Sequence, residues 1–294
     1  MSRARENGTC ARFLAPGRHL RQVVGTALSV PCCRVSFVIT TVPRSAQGAI
    51  HPDPAPSALP ADVVLTHAPP GGRRVSVTLA EAGDIAFELS EPARRIPGYR
   101  GQRNMPGWWW STSTRGHVVY ESWLERHHLM TFDRSPRVVG ISGQPFALSW
   151  IADLRRARHV PDFFVRFADG GGAVVDCRPV ARADQNFYRV AAISKAICDE
   201  AGWEYRLAGE PDPVLAANLT WLAGYRRPYV LVEAIATLLL DGTADPVPLL
   251  SAATAVGEPI AVLPTLFHLL WTGRLGCDLD RPLADHTLIW RDGG

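Results

Sequence analysis

The stretch "HVPDFFVRFADGGGAVVDCRP", His159 to Pro179, sets two aspartates and an arginine at the open end of a glycine-turned hairpin. With Phe167 opposite Ala173 across the "ADGGG" turn, Phe164 faces Asp176 and Asp162 faces Arg178. Side chains alternate between faces along a strand, so Asp162, Asp176 and Arg178 share one face at one end. Phe163, Val165, Phe167, Val175 and Cys177 take the other, apolar face. Two carboxylates this close repel one another unless a cation lies between them. A divalent metal with oxygen ligands resolves that repulsion, and Mg2+ takes one or two carboxylates while keeping its waters. A neighbouring cationic side chain would then steady negative charge developing on a phosphoryl group. An acid at a strand start and an Asp–Arg pair at a strand end are also common solvated features. Spacing alone leaves both readings open.

A third acid stands upstream. In "VVYESWLERHHLMTFD", Tyr120, Trp123, Leu124, His127 and Met130 recur at helical spacing. Ser122-x-x-Glu125 fits a capping box, in which Glu125 reaches back to the helix start. Tyr120 belongs to the same apolar stripe, however, which moves the helix start earlier and favours Glu125 as a helical acid free for chemistry. Glu121, one turn earlier on that face, is the reserve candidate. "DLRRARH" places Arg155, Arg156 and Arg158 in a loop before Asp162, as a solvated segment or as phosphate contacts. His159 stands near a metal or scissile phosphate, or supports the strand start. Gln144 in "GQPF" reads as a residue that positions the second strand, with DNA contact as the alternative. Lys195, the only lysine of the chain, lies in the following helix and is a second source for the cation.

The elements that must position these groups follow from periodicity and turn chemistry. Residues 1–57 show no sustained period and end in "IHPDPAPSALP", a Pro-rich linker, and so read as a disordered tail or a spurious extension. "ADVVLTHAPPGGRRVSVTLAE" reads as a hairpin turning at Pro69–Gly72. "YRGQRNMPGWWW" reads as irregular, with Trp108–Trp110 packed as a plug or, in the alternative, stacked on DNA bases. "RVVGISGQPFALSWI" is a strand, a turn and a second strand. "DQNFYRVAAISKAICDEAG" is an amphipathic helix that Gly202 ends, and "WEYRLAG" is a strand. Helix, antiparallel strands, helix, strand make a mixed α/β core over residues 58–210. From Pro211 the segments turn helical, several opening on proline where its missing N–H costs nothing. "RLGCDLDRPLADHTLIW" fits a two-stranded wing, so residues 211–294 are expected as a helical, winged-helix-like module.

Composition narrows the partners. The 294 residues are 47% hydrophobic and 20% charged, with a formal net charge of +3. Residues 1–57 carry seven arginines against Glu6 and Asp53, so the remainder is close to neutral. A polyanion must therefore be met by local arginine patches rather than by a global field. Six scattered cysteines without a C-x-x-C pair argue against zinc and fit a reducing cytoplasm. No apolar run approaches the ~20 residues of a membrane span, so no membrane partner is expected.

A helical Glu, then Pro-Asp, then an acid-x-Lys element across a hairpin is the pattern of PD-(D/E)xK nucleases. More closely, "YESWLERHHLMTFDRSPRVVGISGQPFAL", "HVPDFFVRFADGGGAVVDCRP" and "AGWEYRLAGEPDPVLAANLTWLAGYRRP" resemble the TnsA-like heteromeric transposase endonuclease subunits of actinobacteria. The resemblance covers roughly residues 108–230, with motifs in family order. It implies a restriction-endonuclease-like mixed sheet flanked by helices and a Mg2+-dependent DNA endonuclease that nicks the 5′ ends of a mobile element. It also implies a TnsB-like DDE transposase and a TnsC-like AAA+ ATPase as partners. By the same resemblance Glu125, Asp162 and Asp176 are metal ligands and catalytic acids. Arg178 stands where the class has lysine and is the fourth catalytic residue that the resemblance implies. A guanidinium cannot act as a proton acceptor as an amine can, but it can orient water and steady negative charge. That departure leaves a cleavage-incompetent DNA- or partner-binding subunit as one alternative, and a restriction- or repair-type nuclease as another.

Overall fold

The computed structural model describes residues 59–95, 105–152 and 154–291. The tail or extension expected over residues 1–57 lies outside the described residues. The chain is a mixed α/β protein. Strands β1 (Ala61–His67) and β2 (Val75–Thr78) form the expected hairpin, its turn closed by the Gly72 N–H donating to the Pro69 carbonyl at 2.9 Å. A short helix α1 (Leu79–Ala82) follows. Strands β3 (Gly107–Ser111) and β4 (Gly116–Tyr120) pair as a two-stranded ribbon that leads into helix α2 (Trp123–Arg134). Then come β5 (Val138–Gly143), β6 (Ala147–Ala152), β7 (Arg155–His159), β8 (Phe163–Phe167) and β9 (Gly172–Cys177). Helix α3 (Gln185–Glu200) crosses to β10 (Glu204–Ala208).

Two four-stranded sheets result. One runs β2-β1-β6-β7, the other β10-β9-β8-β5. In the second, β9 and β10 are parallel, a pairing that needs a long crossover, here supplied by α3, and the other neighbours are antiparallel. Asp184 caps α3 by accepting from the Phe187 N–H at 2.7 Å, and Gly202, at φ +73°, ends it in the left-handed conformation. The β8–β9 pair is buried on both sides, which explains its near-continuous apolar runs. Phe163, Val165, Phe167, Ala173 and Val175 enter one core, and Phe164 and Val174 enter another with Ile197 and Trp203.

Three expectations change, while "RVVGISGQPFALSWI" forms its two expected strands, β5 and β6, which belong to different sheets. Gln144, at φ +53°, turns the chain between them. "RRAR" is not a loop: it is strand β7, paired with β6 from Ala152–Arg155 to Leu148–His159. The tryptophans are in strand β3, and only Trp109 is buried as a plug, while Trp108 is exposed. The β8–β9 register is two residues tighter than the turn residues implied, with Phe163 opposite Val175 and Val165 opposite Ala173. A shift by two keeps every side chain on its face. Asp162 then lies beside Val175, its N–H donating to the Val175 carbonyl, instead of opposite Arg178.

Beyond β10 the chain forms α4 (Pro213–Leu222), α5 (Glu233–Gly242), β11 (Val247–Pro248), α6 (Leu249–Val256) and α7 (Pro259–Trp271). Strands β12 (Leu275–Cys277) and β13 (Leu288–Arg291) complete a three-stranded sheet in the order β11-β13-β12, one strand more than the expected wing. Pro213 opens α4 as anticipated, and Asp212 accepts from the Val214 and Leu215 N–H groups. These helices share one core with the sheet: Phe132, Phe163 and Val175 pack in the same cluster as Leu222, Leu266 and Trp271. The Arg134 guanidinium donates to the Leu270 carbonyl at 3.1 Å, and Arg226 donates to the Trp110 carbonyl at 3.1 Å. Among the described residues no helix is long and apolar enough to cross a membrane.

Candidate active site

The N-terminal end of α2, the open end of the β8–β9 hairpin and the β5–β6 turn meet around Asp162. Ser122 caps α2, its hydroxyl oxygen accepting from the Glu125 N–H at 3.1 Å. The Glu125 carboxylate reaches back, accepting from the Ser122 hydroxyl at 2.8 Å and from the Glu121 N–H at 2.6 Å. The helix therefore starts at Trp123, Tyr120 belongs to β4, and the capping arrangement disfavoured by the apolar stripe is present. The stripe misled because Tyr120 packs partly buried against the core from a strand that happens to continue the helical spacing. Capping does not remove Glu125 from the acid group: it is 8% exposed and close enough to Asp162 for their charges to repel.

Asp162 accepts from the Cys177 N–H at 2.7 Å, and its backbone is pinned on both sides. Its N–H donates to the Val175 carbonyl at 3.1 Å, and its carbonyl accepts from the Gln144 N–H at 2.8 Å. Burial, then the negative charges of Glu125 and Asp176, raise its carboxyl well above the usual carboxylate range against the pull of the Cys177 N–H. Glu125 is raised too, chiefly by burial and further by the Glu121 charge, with its two hydrogen bonds and Arg94 opposing. The Cys177 thiol is pushed up by burial and by the same three acids. Asp176, 3% exposed, accepts from His159 Nε2 at 2.9 and 3.0 Å and from the Tyr205 hydroxyl. Burial and the Asp176 charge keep that phenol protonated far above its ordinary range.

The cations stand elsewhere. Arg178 shares the Asp176 backbone face, yet its guanidinium lies 5.3 Å from the Phe187 ring centre and donates to the Arg182 carbonyl. Lys195 is paired with Asp199 at 2.6 Å on its own helix, and Arg155 and Arg156 are exposed on β7. Arg158 pairs with Ser149 in the β6–β7 register. His159 is turned onto Asp176, a brace for that carboxylate. The guanidinium tied to the acids is that of Arg94, which meets Glu121 at 2.6 Å.

Gln144 joins the cluster in a way that spacing did not reveal. Its Nε2 donates to Glu121 Oε1 at 2.8 Å, and its Oε1 is buried without a hydrogen-bond partner. The residue is 3% exposed and sits in the left-handed region, a conformation that costs about 1–3 kcal/mol and persists only when its surroundings hold it. Gly143 beside it lies so close under the Val119 carbonyl that a Cβ would collide, so glycine is required for β4 to approach β5. The signal for Gln144 was a polar residue between glycine and proline. Arg94 and Tyr205 gave no such signal.

Among the described residues no three His, Cys, Asp or Glu side chains converge as a ready-made metal cage. By chemistry the donor set nevertheless fits a hard dication: three oxygen acids, two of them with their proton affinity raised by burial and by neighbouring negative charge, and an orphaned amide oxygen on Gln144, which is bonded to Glu121. No protein-family model matches this chain, and no curated protein matches it.

Proposed function

We propose that this chain is a Mg2+-dependent DNA endonuclease, the TnsA-like subunit of a heteromeric transposase that cuts the 5′ ends of a mobile element. The observation that carries the reading is that the start of α2 and the open end of β8–β9 bring Glu125 and Asp176 near enough to Asp162 for their negative charges to bear on it. Asp162, Asp176 and Glu125 would hold the ion, with the Gln144 amide oxygen as a neutral donor beside them. A bound dication supplies Lewis acidity and lowers the proton affinity of water. His159 and Tyr205 fix the orientation of Asp176, and the Cys177 N–H fixes one oxygen of Asp162. Arg94, through Glu121, supplies the fixed positive charge at the edge of the acids. A TnsB-like DDE transposase and a TnsC-like AAA+ ATPase are the implied partners. The wing-like β11-β13-β12 sheet and its helices offer a surface for one of them.

A second reading, a DNA-binding subunit of the same complex that does not cut, draws on two observations. The Glu125 carboxylate is engaged in the helix cap, and Arg178 is turned onto Phe187. Nicking of an element-end duplex by the full chain, with its partner transposase present, separates the two. Asp162→Asn is expected to abolish Mg2+-dependent nicking that the parent performs. Normal nicking by that variant would overturn the metal-site reading, and a parent that binds but never nicks would establish the second.

A further inference from the structure

The ribbon that leads into α2 carries a second feature on its outer side. A cleft of about 470 Å³ opens between the β3–β4 ribbon, the β1–β2 turn and residues 92–95, lined by Arg74, Arg94, Arg95, Gly107, Trp108 and Val119. All three arginines are exposed, and Trp108 is 63% exposed although it follows directly from the β3 glycine. Arg74 is steadied by donating to the Ala93 carbonyl at 2.7 Å, and Arg94 by its pair with Glu121. Three guanidiniums against one carboxylate make an anion site, and guanidinium forks match phosphate oxygens in geometry. A large indole face left in water beside them calls for a flat apolar partner. A phosphate joined to an aromatic base combines both.

The ribbon register places this cleft next to the acids. Trp108 pairs with Val119, and Glu121 lies two residues further along, about 7 Å away at strand spacing. That is roughly two steps of a nucleic-acid strand at about 3.4 Å rise. We propose that the cleft seats the DNA strand beside the cut, resting on the endonuclease reading above. Arg74 and Arg95 hold a phosphate, one base leaves the stack to lie on Trp108, and a phosphate about two steps along reaches the acid group at the start of α2. Arg94 links the two sites, because it lines the cleft and is fixed by the acid group.

The test uses the full chain with two fluorescein-labelled probes, a twelve-nucleotide oligo(dT) and a duplex carrying one mismatch, in EDTA so that cutting does not intervene. Trp108→Ala is expected to weaken oligo(dT) binding about ten- to a hundredfold, the scale of one lost stacking partner. Trp108→Phe should recover most of it, because the ring face is retained. The Arg74→Ala, Arg95→Ala double variant should lower the slope of log affinity against log salt by about 0.7–1.4 on the single strand, one or two phosphate contacts. The mismatched duplex should bind the parent more tightly than its matched counterpart, since a mispaired base is lifted out at lower cost. Equal oligo(dT) affinity for the parent and Trp108→Ala would overturn the inference, as would a phosphorylated peptide that binds more tightly than the oligonucleotide. The two readings fail separately. Loss of nicking in Asp162→Asn with unchanged binding in Trp108→Ala sinks the cleft alone. Normal nicking in Asp162→Asn sinks the metal site alone.

Discussion

The two ends of helix α2 treat a buried acid in opposite ways. At the C-terminal end, Asp133, 4% exposed, accepts from Trp109 Nε1 at 2.9 Å, Ser111 Oγ at 2.6 Å, Thr112 Oγ1 at 3.0 Å and the Ser113 N–H at 2.9 Å. Four neutral donors from the β3–β4 ribbon surround it, as burial of a charge demands. At the N-terminal end the negative charges of Glu125 and Asp176 bear on Asp162, whose carboxylate accepts from the Cys177 N–H. One carboxylate is finished by the protein. In the other group the charges of neighbouring acids stay opposed to one another. Burial does not make this distinction, since Asp133 at 4% and Glu125 at 8% exposure are both buried.

The largest effect should come from the unfinished end. Asp162→Asn is expected to lower metal-dependent nicking by about a hundredfold or more while the metal-free protein melts no lower than the parent, because a repelling charge is gone. Asp133→Ala should do the reverse. It leaves an indole N–H and two hydroxyls unpaired in the core, costing about 3 kcal/mol, or roughly 6–12 °C in melting temperature. Activity per folded molecule should be retained at permissive temperature. If Asp133→Ala melts like the parent, the donor count is no measure of what an acid is for.

A third effect is smaller and depends on pH. Asp162 and Glu125 titrate above the ordinary carboxylate range in the fold, whereas the unfolded chain titrates near about 4. The native state thus binds their protons more tightly, so its charged form carries a penalty that is full above the folded values and relieved as pH falls through them. In EDTA, the excess melting temperature of Asp162→Asn over the parent should be greatest at neutral pH and shrink on acidification toward 4. A difference that stays constant with pH would show that Asp162 is not strained in the native protein.

The smallest expected effect is at Arg178. With its guanidinium on Phe187 and the Arg182 carbonyl, Arg178→Ala should leave nicking within about threefold, well below the hundredfold scale of a lost transition-state charge partner. A loss of that larger size would mean that the side chain leaves Phe187 for the phosphate when DNA is bound, and the acid cluster would gain a second cation.

Much of the frame could be read from residues alone. Alternation in "DFFVRF" and "AVVDC" assigned the faces of β8 and β9 correctly even with the register off by two, because parity survives an even shift. Gly202 and the proline that opens α4 marked helix ends whose causes are local. The start of α2 was misread because Tyr120 continues a periodicity that belongs to another element. Local pattern therefore determined that the acids exist, which strand or helix bears them, and that Asp162 and Asp176 share a face. Only the tertiary structure decided that β5 and β6 part into two sheets, that Gln144 and Arg94 join the acids through Glu121, and that Arg178 turns away. Strand faces and caps are governed by residues a few positions apart. A charge cluster is governed by which distant segments the core brings together, and no spacing along the chain records that.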